Sequence, residues 1–180
     1  FLIALIIILI PVKSFGLIEV DITRGNLNPL PVAVSPLSID EDSRKNFENI
    51  LKKKNIGSEI SLIVENNLRV SGLFNPLNKD AFLQEPDIAN LKPRFEDWNL
   101  IKAQALITGK VSYVEEKLRV EFRLWDVLAG KEMMALAFTT VPNNWRRVGH
   151  IITDKVYERL TGERGYFDTR IIYVAEEGPK

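Results

Sequence analysis

The chain has 180 residues, 24 lysines and arginines against 24 aspartates and glutamates, and no cysteine. That length holds one domain of ordinary size with a real core, and a formal net charge of zero removes the electrostatic case for nucleic acid or an anionic membrane. Without cysteine, disulfides, thiolate nucleophiles and cysteine metal sites are excluded, and the redox compartment stays open.

Residues 1–12, FLIALIIILIPV, are almost unbroken apolar sequence, too short to cross a bilayer alone. Ser14-Phe15-Gly16 puts small residues at the minus-three and minus-one positions of a cut after Gly16. Residues 1–16 therefore read as the remnant of a secretory signal peptide. An uncleaved anchor or a buried strand is the alternative. Leu17, Ile18, Glu19, Val20, Asp21, Ile22 and Thr23 alternate apolar and polar, a strand pattern. The pattern alone favours an ordinary edge strand of the domain over a free segment that pairs with another protein's sheet edge. Residues 24–29 are a turn-rich linker.

Leu30 to Leu37 is a short strand confined by Pro31 and Pro36. Residues 38–43 read as a loop, and Arg44 to Asn55 as a helix with Phe47, Ile50 and Leu51 on one face. Its five basic residues, Arg44, Lys45, Lys52, Lys53 and Lys54, read as a solvated helix end rather than an anion site. A second helix is expected from Ser58, a candidate N-cap, to Gly72, with Ile60, Ile63, Val64 and Leu68 at helical spacing. Phe74 to Leu77 is extended, residues 78–93 are expected to wander over the surface, and Phe95 to Ile101 is a short helix.

Residues 105–141 organise the rest. Leu118, Val120, Phe122 and Leu124 alternate with Arg119, Glu121 and Arg123 in the middle of three strand-like runs. Turns at Glu115-Glu116-Lys117 and Leu128-Ala129-Gly130-Lys131 separate the runs, so an antiparallel meander with one buried face is expected. Pro142 stops the third run. Trp145, Val148, Ile152, Val156 and Leu160 then form a helical apolar stripe that Gly162 closes. Residues 165–168 are a linker, and Thr169 to Ala175 a further strand that suggests another domain beyond it.

Chemistry-bearing residues are sparse. His150 is the single histidine, and Asp154 lies one helical turn on; the pair reads as a structural hydrogen bond rather than a catalytic one. Glu115 with Glu116, and Glu176 with Glu177, are adjacent and diverge, as solvated turn residues do. Phosphate-loop, dinucleotide and nucleophile-elbow patterns are missing from the sequence, and one histidine without cysteine cannot make a zinc site. Trp98, Trp125 and Trp145 read as core or interface anchors.

The run Gly149-His150, Asp154, Val156-Tyr157-Glu158, Leu160-Thr161-Gly162-Glu163, Gly165-Tyr166-Phe167, Thr169-Arg170-Ile171 and Tyr173-Val174 resembles the TolB family. So do Val32 to Pro36, Leu68 with Ser71 to Phe74, and Ala105 to Val111. The likeness runs over residues 17–180 and departs at 38–56, where Phe47 to Lys54 is longer and more basic than the family pattern. It implies an α/β fold: a mixed sheet of about five strands with helices packed on it. Residues 1–16 would be the signal remnant, 17–29 the partner-binding strand and linker, 30–164 the α/β domain, and 165–180 the linker and first strand of a β-propeller. The resemblance further implies a periplasmic, monomeric, non-enzymatic adaptor without cofactor, metal, nucleic acid or small-molecule substrate. Leu17 to Thr23 would dock the inner-membrane-anchored partner TolA, reversing the edge-strand preference, and the propeller would dock the lipoprotein Pal. The alternative function is a propeller-containing periplasmic hydrolase whose catalytic domain lies outside this sequence.

Overall fold

The computed structural model describes residues 28–169. Within them the chain forms β1 (Leu30–Val34), β2 (Ser38–Ile39), α1 (Glu41–Leu51), α2 (Ile56–Val70) and β3 (Phe74–Pro76). Then come α3 (Pro86–Leu91), α4 (Phe95–Leu100), β4 (Ala105–Val114), β5 (Lys117–Asp126), β6 (Lys131–Thr140) and α5 (Trp145–Thr161). Short 3-10 turns occupy Lys79–Ala81 and Pro142–Asn144.

The strands make one mixed sheet in the order β3-β1-β4-β5-β6, with β2 on β4. The meander is as the alternation predicts: β4, β5 and β6 run antiparallel, with Ile107 opposite Leu124 and Phe122 opposite Leu136. β1 is parallel to both its neighbours, with Leu30 opposite Phe74 and Val32 opposite Ala105. β2 follows β1 along the same side of β4, with Ser38 opposite Lys110. Ser35-Pro36-Leu37 interrupts the line, and Ser61 repairs the break. Its hydroxyl accepts from the Leu37 N–H at 3.0 Å and lies 3.0 Å from the Ser35 carbonyl and 3.1 Å from the Gly57 carbonyl.

Helix boundaries depart from expectation where tertiary contacts decide them. α1 begins at Glu41, not Arg44, because the Asp40 carboxylate accepts the Ser43 N–H at 2.9 Å. It ends at Leu51, with Lys52 left-handed at φ 56°, so Lys53 and Lys54 follow the helix instead of lying in its last turn. α2 begins at Ile56, and Ser58 lies inside it rather than capping it. Ile56 is fully buried, and a Cβ on Gly57 would fall 2.1 Å from the Leu37 carbonyl oxygen. The close approach to the β1–β2 break sets the start of α2. Residues 78–93, expected to wander, hold a 3-10 turn and α3. Gly72 and Gly162 close α2 and α5 at φ 74° and 75°.

Each face of the sheet has its own core. On one, α1, α2 and α5 bring Phe47, Ile60, Leu68, Ile152 and Val156 onto Val32, Ile107, Val120 and Phe122. On the other, α3 and α4 cover Ala33 and Leu106 with Ala89 and Trp98. The whole predicted stripe of α5, Trp145, Val148, Ile152, Val156 and Leu160, is buried in the first core.

Candidate functional site

Leu17 to Thr23, the predicted partner-binding segment, lies outside the described residues, as do Glu176 and Glu177. What can be placed is the mooring of that segment. Asn28 and Pro29 are exposed and lead into β1, whose Leu30 N–H donates to the Leu73 carbonyl at 2.9 Å. β1 is filled on both sides by β3 and β4, so it has no free edge to offer a partner. Any partner held ahead of Asn28 is thus tied to an interior strand of the sheet.

Among the described residues the long edge strand is β6, which pairs there with β5 alone. From Met133 to Thr140 it carries no charge and no proline, the residues that usually guard an edge. Beside it Arg119, Glu121, Arg123, Ala135 and Ala137 line a shallow hollow of about 200 Å³. The charges there are internally matched, Arg119 with Glu121 at 2.8 Å and Arg123 with Glu132 at 3.3 Å.

His150 makes a structural contact, but not with Asp154. Its Nδ1 lies 2.9 Å from Asn67 Nδ2 on α2. The same amide nitrogen donates to Thr153 Oγ1 at 3.1 Å, and Thr153 donates to the Gly149 carbonyl. The Asp154 carboxylate turns to the connector after α5, accepting the Phe167 N–H at 2.7 Å and the Asp168 N–H at 3.0 Å. The spacing of four residues suggested the wrong partner because backbone donors leave no mark in a sequence. Asn67 went unnoticed because it stands beside the apolar spacing of α2, not within it.

Glu115 and Glu116 are exposed at the tip of the β4–β5 hairpin. Trp98 and Trp145 are buried. The Trp98 Nε1–H donates to Gln84 Oε1 at 3.0 Å, and Trp125 donates to Thr108 Oγ1 at 2.9 Å.

The displaced titrations trace to ion pairs, a helix cap and burial. Asp40 is held below the usual carboxylate range, first by the Ser43 N–H and further by Lys110. Burial pushes Glu65 up, but Arg69 at 2.6 Å and Lys79 at 3.0 Å outweigh it and hold the carboxyl below its ordinary value. Burial pushes the Tyr157 hydroxyl up. None of these sets a base beside a nucleophile. Among the described residues no group of three or more histidines, aspartates or glutamates could hold a metal ion, and no helix is long and apolar enough to cross a membrane.

Comparison with known proteins adds what the described surface lacks. Residues 18–133 match the TolB amino-terminal domain. The chain is 83% identical over 176 residues to the Tol-Pal system protein TolB of Pelagibacter ubique (strain HTCC1062), a match covering 98% of this chain and 40% of that protein. It therefore spans about two fifths of that curated relative's length. The crystal structure of TolB from Acinetobacter baumannii superposes with a TM-score of 0.60 at 20% identity, over 84% of this chain and 33% of that one. At that identity the superposition speaks for the mixed α/β fold. Nothing in these comparisons supports the hydrolase alternative.

Proposed function

This chain belongs to the TolB amino-terminal domain family, and from that premise we propose that it is the partner-docking part of a periplasmic adaptor in a Tol–Pal cell-envelope system, binding proteins and catalysing nothing. The observation that carries this reading is the 83% identity to a Tol-Pal system protein over almost the whole chain. In this reading residues 1–16 are a signal remnant, and a propeller that begins after the connector docks Pal. The adaptor links inner-membrane TolA to Pal, for envelope integrity and constriction of the outer membrane during division.

TolA docks on Leu17 to Thr23. An extended segment with Ile18, Val20 and Ile22 on one side can add to a partner's sheet edge, with backbone bonds setting register and apolar side chains filling pockets. The mooring suits this: Pro29 and the turn-rich residues before it precede a strand with no free edge of its own. Ordering about seven residues costs roughly 1–2 kcal/mol each in backbone entropy, so affinity is modest.

Deleting residues 17–23 from the chain should abolish binding to the TolA C-terminal domain in titration calorimetry, with an unchanged circular dichroism spectrum. Val20→Pro should do nearly the same by removing a ladder donor. An unchanged affinity in the folded deletion variant would overturn this assignment.

A further inference from the structure

The connector after α5, which the sequence presents as a linker, is fastened down along its length. The Asp154 carboxylate takes two successive backbone donors, Phe167 N–H at 2.7 Å and Asp168 N–H at 3.0 Å. From α5's first turn, Arg147 closes on the Asp168 carboxylate with Nε at 3.0 and 3.1 Å and Nη2 at 3.0 Å. Between these, the Tyr166 and Phe167 rings stack at 4.5 Å, and both meet the Tyr157 ring edge-on at 5.5 and 5.8 Å. Gly165 passes so close that a Cβ there would lie 2.5 Å from Asp154 Cα. Thr161 Oγ1 accepts the Glu163 N–H at 3.1 Å, securing the first step past the helix.

Asp154 lies near the middle of α5, where the helix's own backbone N–H groups are paired within the helix and its half-buried carboxylate must find donors elsewhere. Asp154 is stabilised there by the two N–H groups of the connector, which makes it a poor candidate for a generic surface residue. Two adjacent donors on one carboxylate fix the orientation of the peptide unit as well as its position. The Arg147 fork and the ring cluster fix it independently from other sides.

We propose that Gly165–Asp168 is a rigid strap locked onto α5 by Asp154 and Arg147, so that the chain leaves the domain at Thr169 in one direction. Whatever follows is aimed by α5 instead of hanging on a tether. Asp154 is then a positioning residue whose effect appears beyond the domain rather than within it.

The test uses the full chain, which has no cysteine of its own, with spin labels on Lys45→Cys and Thr169→Cys. Both positions are exposed. The expected distance distribution is single and narrow. Asp154→Ala should broaden it and speed amide exchange at Phe167 and Asp168 by at least about tenfold, leaving exchange in β4 and β5 unchanged. Asp154→Asn, which keeps one acceptor oxygen, should fall between. A broad distribution in the unmodified background, or a narrow one retained by Asp154→Ala, overturns the proposal. Should Asp154→Ala lose its fold, Arg147→Gln decides: broadening supports the strap, and an unchanged narrow distribution overturns it.

Discussion

The two faces of the sheet are covered by different means. On the face under α1, α2 and α5 the cover is apolar area: long amphipathic helices lay buried Phe47, Ile60, Leu68, Ile152 and Leu160 over Val120, Phe122 and Leu124. On the face under α3 and α4, each helix is six residues long, too short to be stable alone. There one amide organises the cover. Gln84 Oε1 accepts both the Trp98 Nε1–H and the Arg94 N–H at 3.0 Å, while its Nε2 donates to the Lys92 carbonyl at 2.9 Å. Those bonds tie the segment before α3, the α3–α4 link and the buried tryptophan of α4 together. Where helices are long, packing can be spread over many side chains; where they are short, a buried polar hub takes its place.

The comparison breaks most visibly at Phe122, fully buried at the centre of the first face and stacked 6.0 Å from Phe138. Phe122→Ala should cost about 3–5 kcal/mol in urea unfolding. A loss below about 1 kcal/mol would mean that the first core collapses around the cavity.

Gln84→Ala should cost less, about 2 kcal/mol, because it strands the Trp98 and Arg94 donors in a buried site. The effect should also be local. Native-state hydrogen exchange should speed up across Pro86–Leu100 while α2 and α5 keep their protection. Uniform acceleration everywhere would show that the two covers melt as one unit.

The β4–β5 hairpin tip lies beyond both covers and serves as a control. Glu115 and Glu116 sit at φ 50° and 60°, a region that disfavours side chains bearing a Cβ. Glu116→Gly should raise stability by about 0.5 kcal/mol, read as a small upward shift in thermal midpoint. A fall would mean that the glutamate has a stabilising contact outweighing its backbone.

The smallest effect is expected at the seam between the faces, where Asp40 caps α1 and lies 3.6 Å from Lys110. Its carboxyl is held below the usual range, mainly by the Ser43 N–H. A lowered folded value means that its contribution is complete above the unfolded pKa of about 3.9. That contribution fades as pH falls through the folded value. Asp40→Asn keeps an oxygen for Ser43 and should slightly flatten the acid limb of the stability profile. An acid limb that stays just as steep would assign the loss to other carboxylates, Glu65 first among them.

These contrasts follow what the sequence could express. The meander and α5 were readable because period-two and helical alternation persist for ten residues or more. α3 was missed because six residues offer no periodic window, and Gln84 because an amide that bonds backbone atoms looks like any loop glutamine. The start of α2 was misplaced because a contact with Leu37, distant in sequence, decides it. At the candidate site, Leu17 to Thr23 was legible as an alternating segment, and the docking role proposed for it rests on family resemblance alone. For His150, spacing identified a structural role but named Asp154 in place of Asn67.

The interior position of β1 has a mechanical consequence. It is flanked by two parallel ladders, bonded across Leu30 N–H to Leu73 and Leu77 N–H to Val32 on one side, and Gln104 N–H to Pro31 and Ser35 N–H to Ile107 on the other. Tension applied at Asn28 along the strand loads both ladders in shear, so their bonds must fail together instead of unzipping in sequence. A load taken up ahead of Asn28 therefore reaches the body of the sheet before any strand is peeled from its rim.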